Sequence, residues 1–138
     1  MFFKKKEYKE EDNFLIKIAS LLIHAAKIDE NYTEEEEKII KDTLIQLGSN
    51  LETINELIEK AKAMEENSNQ ILDFTREVKN LKEDEKIKIV EALWKIIYSN
   101  KDADMYETNL MRRLAGLLYI DNKVMGDIKE KIKNEKPL

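Results

Sequence analysis

The sequence predicts an all-α fold: a single compact bundle of about seven helices built from two similar three-helix halves. Three observations carry this. The chain holds only three Gly and one Pro (Pro137, near its end), so the punctuation that hairpins require is scarce. Its apolar residues recur at helical spacing and seldom alternate with period two. Residues 16–61 and 87–132 also repeat one pattern 71 positions apart. Ile16, Ile18, Ala19, Leu22, Ile23, Ala26, Ile39, Leu47, Ile54 and Leu57 are answered by Ile87, Ile89, Val90, Leu93, Trp94, Ile97, Leu110, Leu118, Met125 and Ile128. Two units of this kind bury a common core and hold their equivalent loops in a fixed relation.

The first strong helix is expected over about 12–28. Phe14 to Ile28 is apolar on nearly all sides, as in a buried helix. An amphipathic helix over about 34–47 follows, with Ile39, Ile40, Thr43, Leu44 and Leu47 as its stripe and Gly48 as its left-handed stop. A third helix, about 51–64, carries Leu51, Ile54, Leu57, Ile58 and Ala61. After a polar break at 65–69, a joining helix over about 69–80 turns Ile71, Leu72, Thr75 and Val78 inward. The second half repeats the series over about 84–99, 105–118 and 122–134. The first helix of each half should form the central pair. Residues 1–11 are expected to fray, 12–134 to form the domain, and 135–138 to be a tail.

A length of 138 residues suits one domain with one substantial core. Hydrophobic residues at 42% and charged ones at 38% indicate strong amphipathicity rather than disorder. With no cysteine, disulfides, thiol catalysis and thiolate metal sites are excluded. The N-terminal residues Met1-Phe2-Phe3 turn at once into Lys4-Lys5-Lys6-Glu7, so a signal peptide is not expected. No apolar run approaches the roughly 20 residues that span a bilayer. A formal charge of −5 argues against nonspecific DNA binding. A soluble, cytoplasmic protein without a nucleic-acid partner is expected.

Each half carries an acidic segment at the same place. Asp29-x-Asn31-x-Thr33-x-x-Glu36 is matched by Asn100-x-Asp102-x-Asp104-x-x-Glu107. Oxygen donors at alternate positions converge on a cation at the start of an EF-hand loop, but that loop's glycine is missing here and the glutamate comes too early. The candidate ligand set is Asp29, Glu30, Glu36, Asn100, Asp102, Asp104 and Glu107, an all-oxygen set suited to Ca²⁺ or Mg²⁺ rather than Zn²⁺. A second reading shares some of these residues. Thr33-x-x-Glu36 and Asp104-x-x-Glu107 are capping boxes, and Glu34 to Glu37 complement the positive end of a helix. The two roles are compatible. Asp29, Glu30 and Asp102 are the discriminators, because capping does not account for them.

Other candidates read as ordinary packing. His24 lies on an apolar helix without a second His or Cys to share a metal. Trp94 reads as core, its indole N–H finding a carbonyl or water. Of Arg112 and Arg113, one is expected in an internal salt bridge and the other in solvent. Tyr98, Tyr106 and Tyr119 are expected to cluster around the second acidic loop. Lys4-Lys5-Lys6 is diluted by Glu7, Glu10, Glu11 and Asp12, which argues against membrane attachment.

The second half runs from Leu93-Trp94-Lys95-Ile96-Ile97-Tyr98-Ser99-Asn100-Lys101-Asp102-Ala103-Asp104-Met105-Tyr106-Glu107 into Leu110-Met111-Arg112-Arg113-Leu114-Ala115. It resembles bacterial tellurite-resistance protein B and its TerB-like relatives, whose pattern is LW–x–(V/I)–A–x–A–D–G–x–(L/I)–D–x–x–E before a helix with an arginine pair. Ala25-Ala26-Lys27-Ile28-Asp29-Glu30 through Glu36 resembles the family's earlier A–D–G segment, and the likeness covers roughly residues 12–134. The resemblance implies a bundle with duplicated halves, acidic residues forming a divalent-cation or interaction site, and a link to tellurite and other stress responses. Two departures bear on that site. The family's Asp-Gly is Asp29-Glu30 in the first half and Asn100-Lys101 in the second, which weakens a cation site in the second loop.

The expectation is therefore a non-catalytic TerB-like module that binds a divalent cation or a protein partner through an acidic face. Two alternatives stay open: a metal-dependent hydrolase-like enzyme using the acidic cluster, and a purely structural interaction domain, including a homodimer contact. Against the enzyme stand the lone histidine, the lack of a nucleophile and the absence of a Gly-rich phosphate loop.

Overall fold

The computed structural model of the chain describes residues 10–27, 32–67, 72–99 and 105–135; of residues 10–13, 72, 73, 77 and 105–108 it describes the backbone alone. Among the described residues there are seven helices and no strand: α1 (Glu10–Ala26), α2 (Glu34–Gln46), α3 (Ile54–Glu66), α4 (Leu72–Val78), α5 (Glu83–Ser99), α6 (Met105–Leu117) and α7 (Asn122–Glu135). The all-α expectation holds. The expected residues 1–11 and 135–138 fall largely outside the described residues, although α1 already begins at Glu10.

Helix α1 is the axle of the bundle. Leu15, Ile16, Ile18, Ala19, Leu21, Leu22, Ile23, Ala25 and Ala26 are all buried, so it shows apolar residues on nearly every side. It packs against α2, α3, α4 and α5. Helix α5 is the second central element, burying Ile89, Val90, Leu93, Trp94, Ile96 and Ile97 against α1, α2 and α7. The expected central pair is thus in contact. The remaining helices are amphipathic and cover this pair: Ile40 and Leu44 of α2, Leu57, Ile58 and Ala61 of α3, Leu110, Met111 and Leu114 of α6, and Met125, Ile128 and Ile132 of α7 face one shared core. The joining helix buries Phe74 as well as the expected Thr75 and Val78.

The exits of α2 and α6 are built alike. At the first, Gly48 N–H donates to Ile45 O and Ser49 N–H to Leu44 O; at the second, Tyr119 N–H donates to Gly116 O and Ile120 N–H to Ala115 O. Gly48 and Tyr119 both have positive φ, the left-handed residue of a Schellman ending. The next helix is entered through an equivalent side-chain bond, Glu52 N–H to Asn50 Oδ1 and Lys123 N–H to Asp121 Oδ1.

The helices that carry these two endings pack differently. Helix α2 contacts α5, whereas α6 packs on α4 and α7. One expected core position is corrected: Leu51 precedes α3 in the turn and is 72% exposed. The turn at Asn50, which accepts both Glu52 N–H and Thr53 N–H, delays the helix to Ile54. No helix among the described residues is long and apolar enough to cross a membrane.

Candidate functional site

Of the seven candidate ligands, Glu36 is the one whose side chain is described. Asp29, Glu30, Asn100, Asp102 and Asp104 lie outside the described residues, and Glu107 is placed in α6 by its backbone alone. The capping reading of Thr33 and Glu36 is found in full. Thr33 Oγ1 accepts the Glu36 N–H (3.1 Å), and Glu36 Oε1 accepts the Thr33 N–H (2.8 Å). Glu36 is completely buried, so its carboxylate is oriented inward as part of the helix start rather than spread on the surface. The Asp104–Glu107 counterpart lies outside the described side chains.

The segment between α1 and α2 is flanked by two ionic clusters, and both draw on α3. On the α1 side, Lys27 Nζ donates to Glu65 Oε1 (2.7 Å) and His24 Nδ1 lies 3.2 Å from Glu65 Oε2. Facing a carboxylate, which only accepts, Nδ1 is the protonated ring nitrogen. The Glu65 side chain is 10% exposed and His24 35%, so Glu65 is the buried member. One turn earlier, Ser20 Oγ donates to Ile16 O of its own helix (2.8 Å) and also lies 3.1 Å from Ala61 O. Ser20, His24 and Lys27 thus form a polar seam along α1, opposite Ala61 and Glu65 of α3.

On the α2 side, Lys62 Nζ of α3 reaches Glu37 (3.3 Å) and Glu59 (3.4 Å), while Lys41 Nζ also reaches Glu37 (3.2 Å). Lys62 lies 5.5 Å from the Tyr32 ring centroid, over its face. Burial alone raises the Glu37 carboxyl, but hydrogen bonds from Lys41 and Lys62 outweigh it and leave Glu37 below its ordinary range. Burial lowers Lys62, and Glu37 and Glu59 more than reverse this. Burial, with the charges of Glu37, Glu36 and Glu59, pushes the Tyr32 phenol well up. Its hydroxyl meets no well-formed hydrogen-bond partner among the described residues.

The sequence did not single out Glu65, Lys62, Tyr32 or Lys86. The polar stripe Ser20–His24–Lys27 on an apolar helix is the signal that required a partner such as Glu65. Lys86 was legible in the repeat, since it occupies the register of Leu15. It is buried, and its Nζ donates to Leu118 O (3.0 Å) at the C-terminal end of α6, where a cation also complements the helix dipole.

Four further expectations resolve as follows. His24 is half-exposed and bound by Glu65, within what was expected of it. Trp94 is buried and stacks on Tyr98 (5.9 Å between centroids), and its indole N–H meets no acceptor among the described residues. Arg112 and Arg113 are both exposed, and neither pairs with a described residue, since their positions on α6 point away from the core that Leu110, Met111 and Leu114 fill. Tyr119 does not join Tyr98 near the second loop. The 13 residues of α6, about 20 Å of helix, separate it from that loop, and it lies exposed under Lys79 Nζ.

Among the described residues, no group of three or more His, Cys, Asp or Glu side chains is arranged to hold a metal ion. No curated protein and no solved structure matches the chain. The family model described as tellurite resistance protein TerB matches residues 15–130, which runs from the first buried turn of α1 to the last turns of α7. With most of the chain matched and an all-helical bundle in the matched region, the protein belongs to the TerB family.

Proposed function

We propose that this TerB-family chain is a non-catalytic module, two similar three-helix halves joined by α4, that binds a divalent cation or a basic protein partner through its acidic segments. The ligand set proposed is Asp29, Glu30, Glu36, Asn100, Asp102, Asp104 and Glu107, with Ca²⁺ or Mg²⁺ as the cation favoured by all-oxygen donors. A cytoplasmic, stress-related role accompanies this reading.

The observation that carries it is the completed cap of α2. Thr33 and Glu36 satisfy each other's amide groups, so the capping box itself uses neither Asp29 nor Glu30. Those two carboxylates precede a helix whose first turn already holds Glu34, Glu35, Glu36 and Glu37. Such a concentration of charge costs Coulomb energy that a cation or a Lys/Arg patch relieves.

Calorimetric titration of metal-stripped protein with Ca²⁺ and with Mg²⁺ tests this. A saturable heat in the wild type that is lost in the Asp29→Asn, Asp102→Asn double variant supports a cation site. No heat with either ion removes the cation and leaves a basic partner as the remaining form of the proposal.

A further inference from the structure

Two helix faces that point to solvent carry opposite charge. On α3, Glu56, Glu59, Ala63 and Glu66 recur at spacings of three and four, so they form one stripe, and all four are exposed. On α6, Arg112, Arg113 and Gly116 form an exposed stripe that ends at Tyr119. Leu51, just ahead of α3, and Tyr119, just past α6, are the exposed large hydrophobic residues among those described. Each charged stripe therefore has one apolar end.

Several features of the α6 face have no use within the chain. Arg112 and Arg113 pair with no described residue. Tyr119 holds a left-handed backbone position that its repeat counterpart fills with Gly48. Gly116 stands inside a helix, where glycine is unfavourable, yet a Cβ there would meet nothing within 4 Å. A bare backbone on an outward face suits the close approach of another molecule's helix.

We infer that the α3 face of one molecule docks antiparallel on the α6 face of a second copy of this chain. Charge and register both favour that occupant. Glu56 and Glu59 follow Leu51 by five and eight residues, and Arg113 and Arg112 precede Tyr119 by six and seven. With the helices antiparallel, Leu51 meets Tyr119 and the two glutamates meet the two arginines. Lys79, whose Nζ lies 5.5 Å from the Tyr119 ring centroid, then faces Glu52. Glu56 and Glu59 already contact Lys60 (3.1 Å) and Lys62 (3.4 Å), but such exposed pairs contribute little and exchange at small cost. Each face spans 13 helical residues, about 20 Å, less than a permanent dimer uses, so the association is reversible. The contact joins unlike surfaces, which leaves one face open at each end of a pair. It uses none of the proposed cation ligands and is independent of that reading.

Sedimentation velocity over a range of concentrations at low ionic strength tests this. The wild type should gain mass as concentration rises. Arg112→Glu with Arg113→Glu disables the α6 face, and Glu56→Lys with Glu59→Lys disables the α3 face, so each double variant should stay monomeric. Mixed, the two still offer one intact face each and should form a one-to-one pair that grows no further. A misfolded variant could not restore association in this way. Gly116→Ala should weaken self-association about tenfold, because its methyl holds the helices apart. A wild type that stays monomeric at every concentration overturns the inference and leaves the α6 face to an acidic partner of another sequence. Association that survives both charge reversals, or a mixture that stays monomeric, also overturns it.

Discussion

Gly48 and Tyr119, 71 positions apart, occupy the same place in the same helix ending, and both sit at positive φ, 114° and 57°. The same pair of backbone bonds closes α2 around one and α6 around the other. Their conformations are not equally demanding. Tyr119 lies in the left-handed region that side chains can enter at modest cost, whereas the φ of Gly48 is one that residues with a Cβ seldom adopt.

Backbone conformation gives opposite signs to Gly→Ala at different positions. Gly48→Ala should cost about 1–2 kcal/mol from backbone strain alone, since no heavy atom lies within 4 Å of a Cβ placed there. Gly116 and Gly126 lie within α6 and α7 with equally open surroundings. Gly116→Ala and Gly126→Ala should each stabilise by about 0.5–1 kcal/mol. Urea unfolding of the three variants checks this, and a gain at Gly48 would contradict the assigned ending.

The α2 cap has its own signature. Thr33→Ala should lose about 1 kcal/mol by uncovering the Glu36 amide, while Thr33→Ser should stay within a few tenths because its hydroxyl makes the same bond. Equal stability of all three proteins would remove the capping box.

The Tyr32–Glu37–Lys62 cluster makes stability fall at both pH extremes. Glu37 is depressed below 4.5, so its contribution is complete above that value and is lost as pH falls through the folded pKa. Tyr32 and Lys62 are raised above 10.0 and 10.5, so theirs is complete below those values and is lost as pH rises. Urea midpoints across the acid and alkaline ranges should show Tyr32→Phe declining less than the wild type above pH 10.0, the ordinary value of the phenol. Identical alkaline profiles would place Tyr32 in a less buried setting.

Lys86 offers a test inside the core. Lys86→Met keeps the length of the side chain but removes the donor to Leu118 O, and it should cost about 1–3 kcal/mol for the carbonyl left without it. An unchanged or raised urea midpoint would mean that the ammonium gives no net stabilisation there.

Much of this architecture was legible because helical periodicity reports burial directly. Ile18, Leu22, Ile89, Leu93 and Met111 stand where their spacing put them, and Gly48 marks its helix end. Leu51 misled because an Asn50-based turn delays α3 by three residues, and local turn bonds are harder to read than a stripe. The polar contacts were less legible still. Glu65 meets His24 and Lys27 across 41 and 38 positions, and composition near Glu65 reads only as a polar break. Ion pairing between helices depends on their relative rotation, which a hydrophobic stripe leaves loose. Of the acidic site, the capping half was readable from Thr33-x-x-Glu36, because that bond is local. Asp29, Glu30, Asn100, Asp102 and Asp104 remain sequence-based candidates outside the described residues.

The thermal midpoint of metal-stripped protein, titrated with Ca²⁺, Mg²⁺, Mn²⁺ and Zn²⁺ at constant ionic strength, tests the central claim most directly. The account predicts a saturable rise selective for Ca²⁺ or Mg²⁺, as expected when a ligand binds only the folded state, and its loss in Asp29→Asn. A flat response, or one that monovalent salt reproduces equally, would contradict the cation site and leave a basic partner as the remaining form of the proposal.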